Sequence, residues 1–384
     1  MIFELINEEQ ANWSDESLLD ALENLLKAFA EKQHIVIAPS SLLDKVIKNE
    51  YFSRKVRNIA AYAKQTVREL KALIKSDHVS TYIRIDLSNE DKFEIVEENQ
   101  KTVLESGFAF FKNSSSIQST SILGEDLNDA RFYIYIGNFY IKNNSILNKF
   151  ALKHSCCHGG GSQTANIYNN TLAENKFCYC IVDSDKKHPH SSRGETCKAF
   201  FGNINAFKEF FFEKFGQVRI LDAHEIESII PFNVLAEIIE TGNSSKDQIL
   251  TIRRLKRMIE KNSNIRLFLD HKNGLKRNQA KELDRRYGNI NKNSGYYSTE
   301  LNKLIEQNNK CFEHKDKVDH ECDDNCFSFA PMGSKLLSNT LKFFENNNNY
   351  KKEDIDKITL PYWEIIGKDI FSWCCCYDVS MKVS

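Results

Sequence analysis

Apolar residues recur at helical spacing between positions 15 and 33, where Leu18, Leu19, Leu22, Leu25, Leu26 and Phe29 form one stripe. Ser14 or Asp15 supplies an N-cap for this helix. "HIVIAPS" reads as a short strand closed by Pro39, residues 52–76 as a second long helix with a basic outer face, and "STYIRIDL" as a strand. Residues 1–116 thus form a small α/β or helical accessory unit. "KNSSSIQST", 112–120, is a polar linker at its end.

From residue 121 strands alternate with helices. "SIL" leads into Gly124-Glu125, and "FALKHSCC" ends in Gly159-Gly160-Gly161. "SQTANIYNNTLAEN" follows as a helix with Ser162 near its start. "FCYCIV" is a strand ending at Asp183, "FGNINAFKEFFFEKF" (201–215) a helix, and "QVRIL" a strand ending at "DAHEIE". Such alternation predicts a parallel sheet with helices on its faces. "ARFYIYIGNFYIK" has β-rich composition, yet the alternation requires a helix there, and topology is given precedence over propensity. Residues 233–355 show mostly helical patterns that interrupt the sheet. "ITLPYWEIIGKDIFSW" returns to apolar character. The expected divisions are 1–116, an accessory domain; 117–232, an α/β core; 233–355, a basic helical insertion; and 356–384, a return to the core.

Bulk composition adds little. The chain has 384 residues, 41% hydrophobic and 27% charged, an ordinary globular balance. No apolar run approaches the roughly 20 residues that span a bilayer, and the acidic N-terminus is unlike a signal peptide. The expectation is a cytoplasmic protein with no membrane partner. Net charge is −1, but its distribution is uneven. Residues 251–286 hold twelve Lys/Arg against four Asp/Glu. Arg253, Arg254 and Arg257, with Lys276 and Arg277 further on, are candidates for binding the phosphate backbone of DNA or RNA. The bland alternative, a solvated helix face, weighs equally.

The candidate chemistry lies at strand ends, where open α/β sheets place their sites. Glu125 and Asp129 are one helical turn apart, Asp183 and Asp185 are at i, i+2, and so are Glu225 and Glu227. If extended, each i, i+2 pair points to one side of its strand. A lone D-x-D is often only a turn, and an E-x-x-x-D pair is more often a solvated helix face. Three clusters in series at predicted strand ends are harder to dismiss. Six carboxylates on one sheet edge repel strongly without cations, and hard oxygen ligands suit Mg²⁺ or Mn²⁺. Six exceed what one octahedral ion requires, so two ions are expected, the usual device for in-line phosphoryl hydrolysis.

"ILGEDLNDARFY", "CIVDSD", "HEIESIIP" and "IIGKDIF" resemble the motifs of TOPRIM domains, above all those of OLD-family nucleases and the related DUF4435 group. The resemblance covers about 120–231 and 361–376. It implies a TOPRIM-like parallel sheet flanked by helices and a metal-dependent nuclease that hydrolyses phosphodiester bonds, with a role in anti-phage defence. It implies that Glu125, Asp183 and Asp185 hold one metal ion and that Asp129 and Glu227 hold a second, with Glu225 beside them. Lys368, matching the lysine of a late G-K motif, would stabilise charge on the phosphate. The sequence departs from the family where Gly124 precedes Glu125, and where His224 and Ser228 replace the arginine and asparagine of R-E-I-E-N. OLD nucleases carry an ATPase domain. This chain has no P-loop lysine after its only glycine-rich loop, so any ATP use falls to a separate ATPase subunit. The alternatives are a non-catalytic nucleic-acid-binding subunit on a degenerate TOPRIM scaffold, and a topoisomerase- or primase-like enzyme.

Of the eleven cysteines, Cys311, Cys322 and Cys326 with His314 and His320 can hold a structural Zn²⁺, although their spacing matches no standard finger. Cys156, Cys157, Cys178 and Cys180 read as small core residues.

Overall fold

The computed structural model describes residues 1–201, 210–288, 295–302, 326–347 and 349–378. The chain divides into two compact units: Met1–Ile181 with Phe210–Arg219 and Glu364–Ser384, and Val182–Glu209 with Ile220–Trp363.

The first unit begins with β1 (Ile2–Ile6), α1 (Glu16–Ala30), β2 (Ile35–Ile37), α2 (Ser40–Lys48), α3 (Arg54–Lys75), β3 (Thr81–Asp86), β4 (Phe93–Glu98) and β5 (Lys101–Gly107). The leucine stripe of α1 is buried, and Asp15 caps the helix by accepting from the Ser17 N–H at 2.9 Å. The strands form one sheet in the order β2-β1-β3-β5-β4. β1 is parallel to β2 and β3, β3 is parallel to β5, and β4 is an antiparallel edge. Three carboxylates on this sheet converge on one cation: Arg84 pairs with Glu4, Glu98 and Glu105.

The chain continues through β6 (Thr120–Gly124), α4 (Leu127–Lys142), β7 (Phe150–Leu152), β8 (His154–His158), α5 (Thr164–Ala173), β9 (Cys178–Asp183), α6 (Glu195–Phe201), β10 (Phe210–Glu213) and β11 (Gly216–Leu221). A second sheet has the order β10-β11-β9-β6-β8, with β6 parallel to both β8 and β9. The fold is thus mixed α/β, with parallel strands flanked by helices. The β-rich stretch 130–142 is helical, as the alternation required.

Two expectations are corrected. "FALKHSCC" is not one strand. It breaks at Lys153, and β8 alone joins β6. The helix expected over 201–215 does not extend to its end. "FFFE" is β10, antiparallel to β11. A run of β-favouring phenylalanines next to a turn at Lys214, whose φ is 48°, makes a hairpin.

The second unit contains α6 and then α7 (Phe232–Thr241), α8 (Lys246–Glu260), β12 (Leu275–Lys276), α9 (Arg277–Tyr287), α10 (Tyr296–Asn302), β13 (Phe327–Phe329) and α11 (Leu336–Asn346). Between 232 and 346 its described elements are mostly helices, with the short β12–β13 pair. α12 (Leu360–Cys374) and β14 (Cys375–Tyr377) end the described chain, and β14 pairs antiparallel with β7. Among the described residues no helix is long and apolar enough to cross a membrane.

Within the first unit α4 and α12 touch at two glycines. A Cβ on Gly137 would lie 2.3 Å from Ile370 Cγ2, and one on Gly367 would lie 2.6 Å from Tyr140 Cβ. The missing side chains set the spacing between the two helices, because no larger residue fits a packed interface of this kind without displacing its neighbours. Gly137→Val is expected to destabilise the protein by about 1–3 kcal/mol, read as a lower midpoint in denaturant. An unchanged midpoint would show that the two helices are not tightly packed there.

Candidate carboxylate site

In the second unit, the chain leaving β9 and the chain leaving β11 are tied together. The Asp185 N–H donates to the His224 carbonyl at 2.9 Å, and the Ser184 hydroxyl donates to the Ala223 carbonyl. Neither acidic pair is extended as its spacing suggested. β9 ends at Asp183, and Asp185 takes a left-handed φ of 55°. Gly194 makes room for its side chain, since a Cβ there would lie 1.9 Å from Asp185 Oδ2. Glu225 precedes a short 3-10 turn, Ile226–Ile229. The turn is clamped from outside. The buried Arg266 guanidinium donates to the Ser228 and Ile230 carbonyls, and the Trp363 indole to the Ile229 carbonyl at 2.9 Å. Asp356 balances Arg266 at 3.0 Å and also accepts from the Phe232 N–H at 2.8 Å.

These constraints hold Glu225 and Glu227 almost wholly inside the protein, 6% and 1% exposed. Lys272 stands between them, its Nζ 3.4 Å from Glu225 and 3.2 Å from Glu227. Burial, and then the charge of Glu225, raise the Glu227 pKa to about 7. Burial acts on Glu225 in the same direction, but His271 and Lys272 reverse it and keep this carboxylate ionised. Burial would also lower the Lys272 pKa, and the two glutamates hold it above its ordinary value. The charge of Asp183 reaches Lys272 too, and Asp185 lies within reach of the charges of His224, Lys187, Glu225 and Lys272. The charges of Asp183, Asp185, Glu225 and Glu227 thus each reach Lys272.

Three participants come from a loop whose residues, in the sequence, count only toward the basic block. In "DHKNG", Asp270 is paired with Lys187 at 3.0 Å and faces His224 Nε2 at 3.7 Å. Burial pushes the Asp270 pKa up, but His224, Asn273 and Lys187 outweigh it and hold the carboxyl far below its usual range. The His271 N–H donates to Glu225 Oε1 at 2.8 Å, and Lys272 follows. The signal for this loop is a turn-forming Asn-Gly directly after three residues that carry chemistry.

The remaining candidates lie on other elements. Glu125 and Asp129 lie in the first unit, both half-buried. Asp129 Oδ2 accepts the Asp126 N–H at 2.7 Å, closing a capping box at the start of α4, so its spacing serves the helix. Lys368 is also in the first unit, on α12, where its charge acts on His78 and Lys101. The cation paired with Glu225 and Glu227 is Lys272. Of the basic residues, Arg253 and Arg257 are exposed on α8, but Arg254 is partly buried and donates to the Ser328 carbonyl at 2.8 Å. Lys276 Nζ stands 5.3 Å from the Phe327 ring centre, and Arg277 begins α9 exposed. Cys311, His314, His320 and Cys322 lie outside the described residues. Cys326 is buried, and its carbonyl accepts the Arg277 N–H at 3.0 Å.

The chain matches no protein-family model, no curated protein and no solved structure.

Opposite-signed stability changes are expected at the glutamate pair. Lys272→Met removes the nearest cation from two buried carboxylates and costs about 1–3 kcal/mol. Glu227→Gln relieves their repulsion and stabilises. Denaturant unfolding at pH 7.5 measures both, and a stabilising Lys272→Met would contradict the pairing.

Proposed function

We propose that this chain is a divalent-metal-dependent phosphodiesterase acting on nucleic acid, of the TOPRIM type that its motifs resemble. The observation that carries the reading is the gathering of Asp183, Asp185, Glu225 and Glu227 beside Lys272. Folding brings carboxylates to one place against their repulsion, and oxygen-rich clusters of this kind suit Mg²⁺ or Mn²⁺. Glu227 Oε2 is buried and has no hydrogen-bond partner, an acceptor with unused capacity.

Asp183, Asp185, Glu225 and Glu227 would supply oxygen ligands to the ion. A bound divalent ion supplies Lewis-acid polarisation of a phosphoryl oxygen. Lys272 places an ammonium beside the carboxylates, where it can stabilise charge that builds on the phosphate. Arg253, Lys256 and Arg257 present a basic face on α8 for the nucleic-acid backbone, and Ser245 fixes the start of that helix through a capping box with Gln248.

Incubating the purified protein with plasmid, linear DNA and tRNA in Mg²⁺, Mn²⁺ or EDTA tests the activity. Cleavage should require the ion, and Asp183→Ala should lower its rate by at least about 100-fold, the scale on which one charge-stabilising contribution is removed. Wild-type cleavage by Asp183→Ala would defeat the site assignment. Binding without any cleavage would favour the non-catalytic scaffold.

A second measurement addresses the basic face. Neutralising Arg253, Lys256 and Arg257, with Arg254 kept because it holds Ser328, should reduce the slope of log affinity against log salt. The expected change is about 0.7–0.9 for each phosphate that the variant no longer neutralises. An unchanged slope would return this face to simple solvation.

A further inference from the structure

The acid cluster contains more nitrogen than a site built for Mg²⁺ alone requires. His224, Glu225 and Asp270 each offer one ligand atom, and these atoms all lie within 4.8 Å of one another. His224 Nε2 is 3.7 Å from Asp270 Oδ2, beyond hydrogen-bond length but suitable for two ligands of one ion. The His224 main chain is held on both sides. Its N–H donates to the Leu267 carbonyl at 2.6 Å, and its carbonyl accepts from Asp185. His224 is 4% exposed.

An independent observation comes from His271. It is fully buried, and neither ring nitrogen has a hydrogen-bond partner. Nδ1 points at Glu225 Oε1 from 3.7 Å, too far for a hydrogen bond. A buried imidazole with neither nitrogen hydrogen-bonded loses its interactions with water and keeps only the nearby charge of Glu225, so it calls for an explanation. Glu227 Oε2, also buried and unpartnered, lies in the same cluster.

We propose that His224, Glu225 and Asp270 form a binding site for a divalent transition-metal ion of the Mn²⁺–Zn²⁺ class, with the His271 imidazole beside it. Imidazole nitrogen favours these ions over Mg²⁺, which prefers oxygen and releases its water reluctantly. Lys187, bound to Asp270 and 53% exposed in its side chain, carries compensating charge and can swing outward when an ion takes over that role. The site does not depend on the protein being a nuclease. It shares only Glu225 with the carboxylates assigned to phosphodiester cleavage.

The test uses the full chain and Mn²⁺, chosen because thiolates bind it weakly and the cysteines then contribute little. Mn²⁺ binding is followed by electron paramagnetic resonance, with pulsed detection of nitrogen coupling to the ion. The wild type should show imidazole nitrogen coupled to bound Mn²⁺. His224→Ala should remove that coupling and weaken binding at least tenfold. His224→Asp, which replaces nitrogen with oxygen, should retain an ion and narrow the preference for Mn²⁺ over Mg²⁺. Lys187→Met should tighten Mn²⁺ binding, because the competing ammonium is gone. Thermal unfolding of each variant separates loss of the site from loss of the fold. No nitrogen coupling in the wild type, or coupling that persists in His224→Ala at unchanged affinity, would overturn the inference. Cleavage with Mg²⁺ but no nitrogen coupling would overturn this site and leave the proposed function standing. Imidazole-bound Mn²⁺ without cleavage would do the reverse.

Discussion

Repulsion between buried carboxylates is the constraint around which the second unit is arranged. Glu225 and Glu227 are both almost fully enclosed and are close enough for the charge of one to raise the pKa of the other. Burying an ion is costly unless it is paired, and two like ions cost more. Two features offset this. Lys272 shares its ammonium between the pair, and Glu227 moves toward protonation near neutrality. Neither would suffice if the backbone could relax, so the backbone is fixed. The Arg266 guanidinium and the Trp363 indole hold three successive carbonyls of the turn, and Arg266 is in turn neutralised by Asp356. A wholly buried arginine that holds backbone carries a large desolvation cost. Its presence here indicates that the position of Glu227 matters.

The first unit provides a contrast. Three carboxylates also converge on its sheet, but around one arginine whose fork reaches all of them, Arg84 with Glu4, Glu98 and Glu105. That cluster is satisfied by the chain's own charges. The cluster in the second unit keeps an unpartnered carboxylate oxygen and unpartnered imidazole nitrogens. A satisfied ion-pair network needs no further explanation, whereas buried polar atoms without a partner call for one.

Much of the architecture is legible in the sequence because it follows from local rules. The leucine stripe and Asp15 specify α1, the apolar run of β9 is bounded by its acids, and the order of strands and helices makes 130–142 a helix against its composition. Legibility ends where a local rule meets a competing one. The phenylalanines at 210–213 sit inside a helical pattern, and β-propensity with a turn at Lys214 prevails. Asp129 has the spacing of a ligand and the position of a capping residue, and the structure uses it as a cap. The acidic pairs do stand at strand ends, but they are not extended. A left-handed Asp185 depends on Gly194 nine positions further along, which no periodicity reports.

Asp270, His271 and Lys272 are harder to read for a different reason. In the sequence they lie among basic residues, more than forty positions after Glu225, and their charges merge into a local surplus. A count of that surplus treats Lys272 as one more solvated cation. Its actual surroundings are the two most buried acids of the cluster, and it is held there by its neighbours: His271 fixes the loop to Glu225 through a backbone hydrogen bond, and Asp270 accepts from Asn273 to close the turn. A charge tally sums over residues that face water and residues that face each other, and the two kinds have different consequences. Arg253 and Arg257 on the surface of α8 contribute to the field outside the protein, whereas Lys272 acts inside it, on Glu225 and Glu227. Only the second kind makes a buried acidic site possible.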